Sequence, residues 1–274
     1  MSYIPQKFWQ WLSPEPSLRA QTRNDSSRFW AVLIGIDAYP VHPLYGCVSD
    51  ACAMEDYLIN NLEVPEDHIR RLLCPHNDTS PNASGALVPT RANIVNTLLD
   101  LSNDARIQLG DNIIIYFSGH GASYECQNHK DDSHQICLCG IEAMCPSDRN
   151  TMDASNNPIT DITDREFNTI LTQICRAKGR KITVILDCCF SASLARAPGM
   201  PARILEGVRS LPPSRLQQAA LGDALRTADN TFKGLGLPEY RCILDEEWRP
   251  NMESHVVLAA CSEHEFAREF SNMT

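Results

Sequence analysis

The sequence predicts an α/β protein built on a mostly parallel sheet with helices on both faces. Three observations carry that expectation. Short, wholly apolar runs such as Phe29–Ile36 and Ile113–Phe117 have the length of strands buried on both sides. Between them lie segments whose apolar residues recur at helical intervals. The connections are long enough for the crossovers that parallel neighbours require.

Taken in order, RFWAVLIGIDAYP opens the pattern, its apolar run stopped by Asp37 and Pro40. SDACAMEDYLINNL then spaces Ala53, Tyr57, Leu58 and Leu62 along a helix, with Ser49 or Asp50 placed to cap the first turn. HIRRLLC reads as a short strand, and residues 75–89, rich in Pro, Asn, Ser and Gly, as a loop. Thr90 opens a helix with Ile94, Leu98 and Leu101 on one face. DNIIIYF is the next buried strand, and SGHGA stands at its carboxyl end.

Residues 122–160 read as a long polar loop. In ITDREFNTILTQICRAKG, Thr163 and Glu166 spell a capping box and Ile162 and Phe167 a hydrophobic staple. Arg176 and Lys178 suit the negative helix end, and Gly179 stops it. The strand KITVIL ends at Asp187, Cys188 and Cys189. From about residue 195 to 252, prolines and scattered Arg and Lys read as irregular structure, before a last apolar strand, HVVLAAC.

Composition narrows the function. A chain of 274 residues, 43% hydrophobic, can bury one large core. With a formal charge of -10 and no basic run longer than a pair such as Arg70 and Arg71, it lacks the footprint of a nucleic-acid binder. No apolar run reaches the length of a membrane span, and the first 25 residues carry none of signal-peptide length. A cytoplasmic or nuclear protein is therefore expected. There the twelve cysteines stay reduced, and burial, catalysis or metal must account for them.

In open α/β sheets, chemistry gathers outside the carboxyl ends of the strands, where both SGHG and DCCFS fall. A peptide bond is attacked well by a thiolate beside an imidazole, with backbone amides waiting for the charge that develops on the carbonyl oxygen. His120 and Cys189 are the candidates, and the glycines flanking His120 let a substrate backbone come close.

These residues resemble the caspase-like clan of cysteine peptidases, and within it the metacaspases of the expanded fungal group. AVLIGIDAY resembles the family's first strand, LYGCVSDACAM its L-x-G-C-x-x-D-A segment, YFSGHGA its histidine motif, VILDCCFSAS its nucleophile motif and HVVLAACSEHEFARE its later core strand. The resemblance implies a caspase-like three-layer α/β/α sandwich, with residues 1–28 an N-terminal extension and 29–274 the peptidase domain. Within that domain a large-subunit-like part runs to about residue 197, a linker-like stretch covers about 198–250, and 251–274 begins a small-subunit-like part.

The resemblance also implies roles. Cys189 is the nucleophile, His120 the general acid and base, and Gly121 and Cys189 supply oxyanion-hole amides. Cys47, Asp50, Ser118 and Asp187 form the first specificity pocket. Two carboxylates there favour a cation, Arg fitting a carboxylate fork better than Lys. Polypeptides cut after Arg or Lys are the implied substrates, and no cofactor is needed for the chemistry. Arg203, Arg209, Arg215, Arg226 and Lys233 then offer points of self-cleavage in the linker-like stretch. A non-catalytic caspase-like module that binds or regulates partners is the alternative.

The chain departs from the family in places. Phe190 replaces the usual His after the nucleophile, and Ser191 and Ala192 the usual Ser and Gly. The family continues beyond the point where this chain stops, at Thr274, so a truncated form is expected. Calcium activation stays open, since Asp131, Asp132 and Asp148 do not reproduce the family spacing. Structural zinc on Cys126, His129, His134, Cys137, Cys139 and Cys145 is not expected, because the spacing matches no strong zinc pattern.

Overall fold

The structure, a computed structural model, describes residues 25–76, 85–124, 140–188, 209–237, 240–245 and 248–260. Among them, eight strands run β1 (Phe29–Ile36), β2 (Ile69–Cys74), β3 (Asn112–Ser118), β4 (Gly121–Tyr124), β5 (Ile141–Met144), β6 (Ile162–Thr163), β7 (Ile182–Asp187) and β8 (Val256–Ala259). Four α-helices accompany them: α1 (Cys47–Asn60), α2 (Arg91–Asn103), α3 (Asp164–Lys178) and α4 (Arg215–Gly234).

The main sheet has the order β2-β1-β3-β7-β8 with every neighbouring pair parallel. Successive side chains of a strand point to opposite faces, so β1 divides its apolar run between two cores. Trp30, Val32, Ile34 and Ile36 enter one core with Ile94 and Leu98 of α2, Ile170 and Ile174 of α3, and Leu221 and Leu225 of α4. Ala31 and Leu33 enter the other with Ala51, Met54 and Leu58 of α1. Burying each large side chain stabilises the fold by about 1.5–3 kcal/mol, which explains why the strands read as unbroken apolar runs. The result is the expected three-layer α/β/α sandwich.

Local sequence fixes the helix ends. Thr90 Oγ1 accepts from the Asn93 N–H at 3.2 Å. Thr163 and Glu166 complete their capping box, and α3 stops at Gly179, whose φ of 97° suits a residue without Cβ. The start of α1 departs from expectation: neither Ser49 nor Asp50 caps it. Gly46 is the N-cap, and Asp37 at the end of β1 accepts the Cys47 N–H at 2.8 Å. Asp50 is thereby left for another task.

Two stretches hold more structure than their composition suggests. The polar stretch 122–160 holds β5 and most of β4, which form an antiparallel sheet with β6 just beyond it, and Ala122, Tyr124, Ile141 and Ala143 are buried. Within 195–252 lies α4, capped by Ser214 and burying Gln217, Leu221, Leu225, Asp229 and Phe232 at helical spacing. Two members of that stripe are polar, which hid it. Gln217 donates to the Ile159 carbonyl at 2.7 Å and accepts the Asp161 N–H at 3.1 Å, while Asp229 accepts the Tyr240 hydroxyl at 2.7 Å.

Candidate active site

The site is assembled at the carboxyl ends of β1, β3 and β7. Ser118 and Asp187 are register partners at the ends of β3 and β7. Asp50 reaches the same place from α1 because that helix starts hard against β1. A Cβ on Gly35 would come within 2.7 Å of the Cys47 carbonyl and 2.9 Å of Val48 Cα, so glycine permits the approach. The four residues expected to form the first pocket therefore converge, with Cys47 and Ser118 fully buried and Asp50 and Asp187 nearly so.

A fifth residue fills their centre. The Arg209 guanidinium donates to Asp50 Oδ2 at 2.6 Å and to Ser118 Oγ at 2.8 Å, and it also hydrogen-bonds the Asp187 carboxylate. Arg209 is 1% exposed, although the sequence placed it in a linker-like stretch. Burial works against its charge, but Cys47, Asp187 and Asp50 outweigh burial and raise its pKa. Burial pushes the Asp187 carboxyl up, with Arg209 opposing the shift. Tyr116 adds a hydroxyl 3.3 Å from Asp187 Oδ2.

His120 follows β3 and is buried. Its Nε2 lies 2.6 Å from the His42 carbonyl, which only accepts, so Nε2 carries the proton. His42 holds that carbonyl in place with a φ of 56°, an uncommon conformation for a residue other than glycine. Nδ1 is left with no hydrogen-bond partner among the described residues. Burial depresses the imidazole pKa to about 4, so near neutrality Nδ1 presents a lone pair.

Tyr39, which sequence reasoning passed over, holds the histidine from behind. Its hydroxyl accepts the His120 N–H at 3.0 Å and donates to the Cys145 carbonyl at 2.9 Å. Its ring packs against the imidazole at a tilt of 56°, with 4.6 Å between centroids. The Cys145 N–H in turn donates to the His120 carbonyl at 3.0 Å. Gly119 is needed here, since a Cβ would stand 2.6 Å from the Tyr39 hydroxyl.

Gly121, expected to offer an oxyanion amide, donates its N–H to the Arg209 carbonyl at 3.1 Å. Cys189 lies outside the described residues, as do Phe190 and Arg203. Cys188 before it is buried in the core on the side of α2, α3 and α4. Asp131, Asp132 and five of the six soft candidate ligands of the polar stretch are likewise outside. Cys145, the sixth, is a core residue whose thiol burial pushes up. Asp148 accepts the Arg91 N–H at 2.8 Å and so serves the start of α2.

A family model described as the metacaspase, peptidase C14 domain matches residues 30–198. Metacaspase-3 of Arabidopsis thaliana is 30% identical over 169 residues, covering 61% of this chain and 41% of that protein. Metacaspase-6 of the same plant is 32% identical over 165 residues, 60% of this chain and 38% of that one. Metacaspase-1 of Plasmodium falciparum is 32% identical over 167 residues, with 60% and 24% covered. The chain therefore spans well under half the length of these relatives. With its parallel sheet, its histidine and its acidic pocket at the strand ends, and more than half its length matched, this chain belongs to the metacaspase family.

Proposed function

We propose that the chain is a cysteine endopeptidase that cuts polypeptides after Arg or Lys. The observation that carries this reading is the occupant of the pocket. An arginine side chain already fits between Asp50 and Asp187, with Ser118 satisfying a third bond, and all of them are shielded from water. Charge-assisted bonds to two carboxylates select a cation and leave an acidic side chain nothing to bind.

The chemistry follows from the residues around the pocket. Cys189 supplies the thiol and His120 Nδ1, free to accept, takes its proton. The His42 carbonyl keeps the ring in the tautomer this requires. Attack on the carbonyl carbon gives a thioester, and the Gly121 N–H, with that of Cys189, stabilises the oxyanion on the way. His120 returns the proton to the leaving amine and then activates water for the second half.

The test is hydrolysis of fluorogenic peptides ending in Arg, Lys or Asp, with and without calcium, beside Cys189→Ala. Turnover of the Arg and Lys peptides is expected, lost in Cys189→Ala and in Asp50→Ala or Asp187→Ala variants that remain folded. Full activity in either aspartate variant would overturn the pocket assignment. The burial of Arg209 also favours a second reading, a module closed to substrates that acts by binding. An active-site-directed thiol probe that fails to label Cys189 in the folded chain would favour that reading.

A further inference from the structure

The loop between β1 and α1 shows apolar side chains to water while its own backbone is pinned. Val41 is 58% exposed and Tyr45 74% exposed, with Pro43 exposed between them. Single exposed apolar residues are ordinary on a protein surface. These three share one short loop that is tied down along its length. The Asp37 and Ala38 N–H groups donate to the Cys74 carbonyl at 2.9 and 3.1 Å, and the Leu44 N–H to the Asp37 carbonyl at 3.0 Å. Leu44 is buried, its carbonyl lies 2.5 Å from His76 Nε2, and the His76 ring packs against that of Tyr45 with 4.5 Å between centroids. Pro40 and Pro43 fix φ at two more positions. An apolar surface held in place beforehand costs little further ordering when a ligand covers it.

The same loop adjoins the candidate active site twice. Its His42 carbonyl holds the His120 imidazole, and it ends at Cys47, in the wall of the acidic pocket. Sheet order gives its side. Read across β7, β3, β1 and β2, the strand ends lead in turn to Cys189, to His120, to this loop and to His76. His120 passes its proton to the leaving amine, so the segment released by the cut lies on the imidazole's side and continues towards the loop. Strands spaced about 4.8 Å apart, and an extended peptide rising about 3.3 Å per residue, bring side chains over β1 and β2 two or three residues past the cut.

We infer that Val41, Pro43 and Tyr45 form the seat for one large apolar side chain of the substrate, two or three residues beyond the cut bond. The inference rests on the peptidase reading above and adds a second recognition element to the basic residue before the cut. A Leu or Phe laid there covers Val41 and the Tyr45 ring and loses water on one face. A Ser or Asp gains nothing comparable and keeps its own hydration at a cost.

The experiment uses the full chain and internally quenched peptides that share one Arg before the cut and carry Ser, Asp, Leu or Phe at the second or third position after it. The expected result is a kcat/KM about tenfold higher for Leu and Phe than for Ser at one of those two positions, the scale of one partly covered apolar contact. In the double variant Val41→Ser, Tyr45→Ser, with an unchanged melting temperature, that ratio should fall to within about twofold. Leu109→Ser removes an equally exposed apolar side chain before β3, at the other end of the sheet, and should leave the ratio as it was. Peptides cut after Arg at rates indifferent to these positions, a preference for Asp, or a Leu and Phe preference that survives the double variant would overturn the inference and leave the peptidase reading standing. A folded chain that turns over none of these peptides, nor the short Arg fluorogenic ones, would overturn both.

Discussion

Tyr39 shows how one hydroxyl serves two buried backbone groups at once, accepting from His120 and donating to Cys145. Removing it by Tyr39→Phe keeps the ring against the imidazole but strands both groups, each at a cost of about 1–3 kcal/mol. The expected outcome on an Arg fluorogenic peptide is a roughly tenfold fall in kcat with KM nearly unchanged, the effect of about 1.4 kcal/mol lost only in the transition state. A fall in melting temperature with kcat intact would reduce Tyr39 to a packing residue. At this scale the sequence was partly legible. His120, Asp50, Ser118 and Asp187 stand in short motifs whose order survives in one dimension. Tyr39 and Arg209 do not, because each acts on a group 81 to 159 residues away that only the fold brings near.

Elements were legible where one segment carries its own instructions. The start of α3 is specified by Thr163 and Glu166 together: Thr163 Oγ1 accepts the Glu166 N–H at 3.2 Å, and Glu166 Oε2 accepts the Thr163 N–H at 3.1 Å. Thr163→Ala should cost about 1–2 kcal/mol, read as a lower urea midpoint with an unchanged slope, and Thr163→Ser should recover most of it. A midpoint within error of the parent would show that Glu166, through its ion pair with Arg91, fixes this end alone. The elements that escaped notice are those whose periodicity is mixed with polar residues. Helix α4 needs Asp161 and Ile159 to satisfy Gln217, and the three-stranded sheet pairs segments too short to announce themselves.

For the whole molecule, the buried titrating groups pull stability in opposite directions with pH. His120 has a folded pKa of about 4, below its ordinary 6.5, so between those values the unfolded chain binds more protons. Its contribution, on the order of 3 kcal/mol, is complete above pH 6.5 and lost as pH falls towards 4. Asp164 runs the other way: burial raises its pKa from 3.8 to about 7, so stability falls as pH rises through that window. Asp187 adds to the same trend. Asp164→Asn should therefore gain stability relative to the parent as pH goes from 5 to 8 in urea titrations. An advantage that shrinks over that range would mean Asp164 is ionised at little cost. The sandwich as a whole was readable because a both-faces-buried strand is apolar without interruption. The pocket's occupancy was not, because nothing local distinguishes Arg209 from its exposed neighbours on α4.

The bond between the Gly121 amide and the Arg209 carbonyl also makes a single hydrogen atom a gauge of the pocket's occupancy. A buried, bonded amide exchanges with deuterium only when its local structure opens. While residues 209–211 lie alongside β4, the Gly121 amide should exchange slowly with its strand neighbours. Where the segment leaves β4, that one position should exchange quickly while Ala122 to Tyr124 stay slow, telling a filled pocket from an empty one without any substrate.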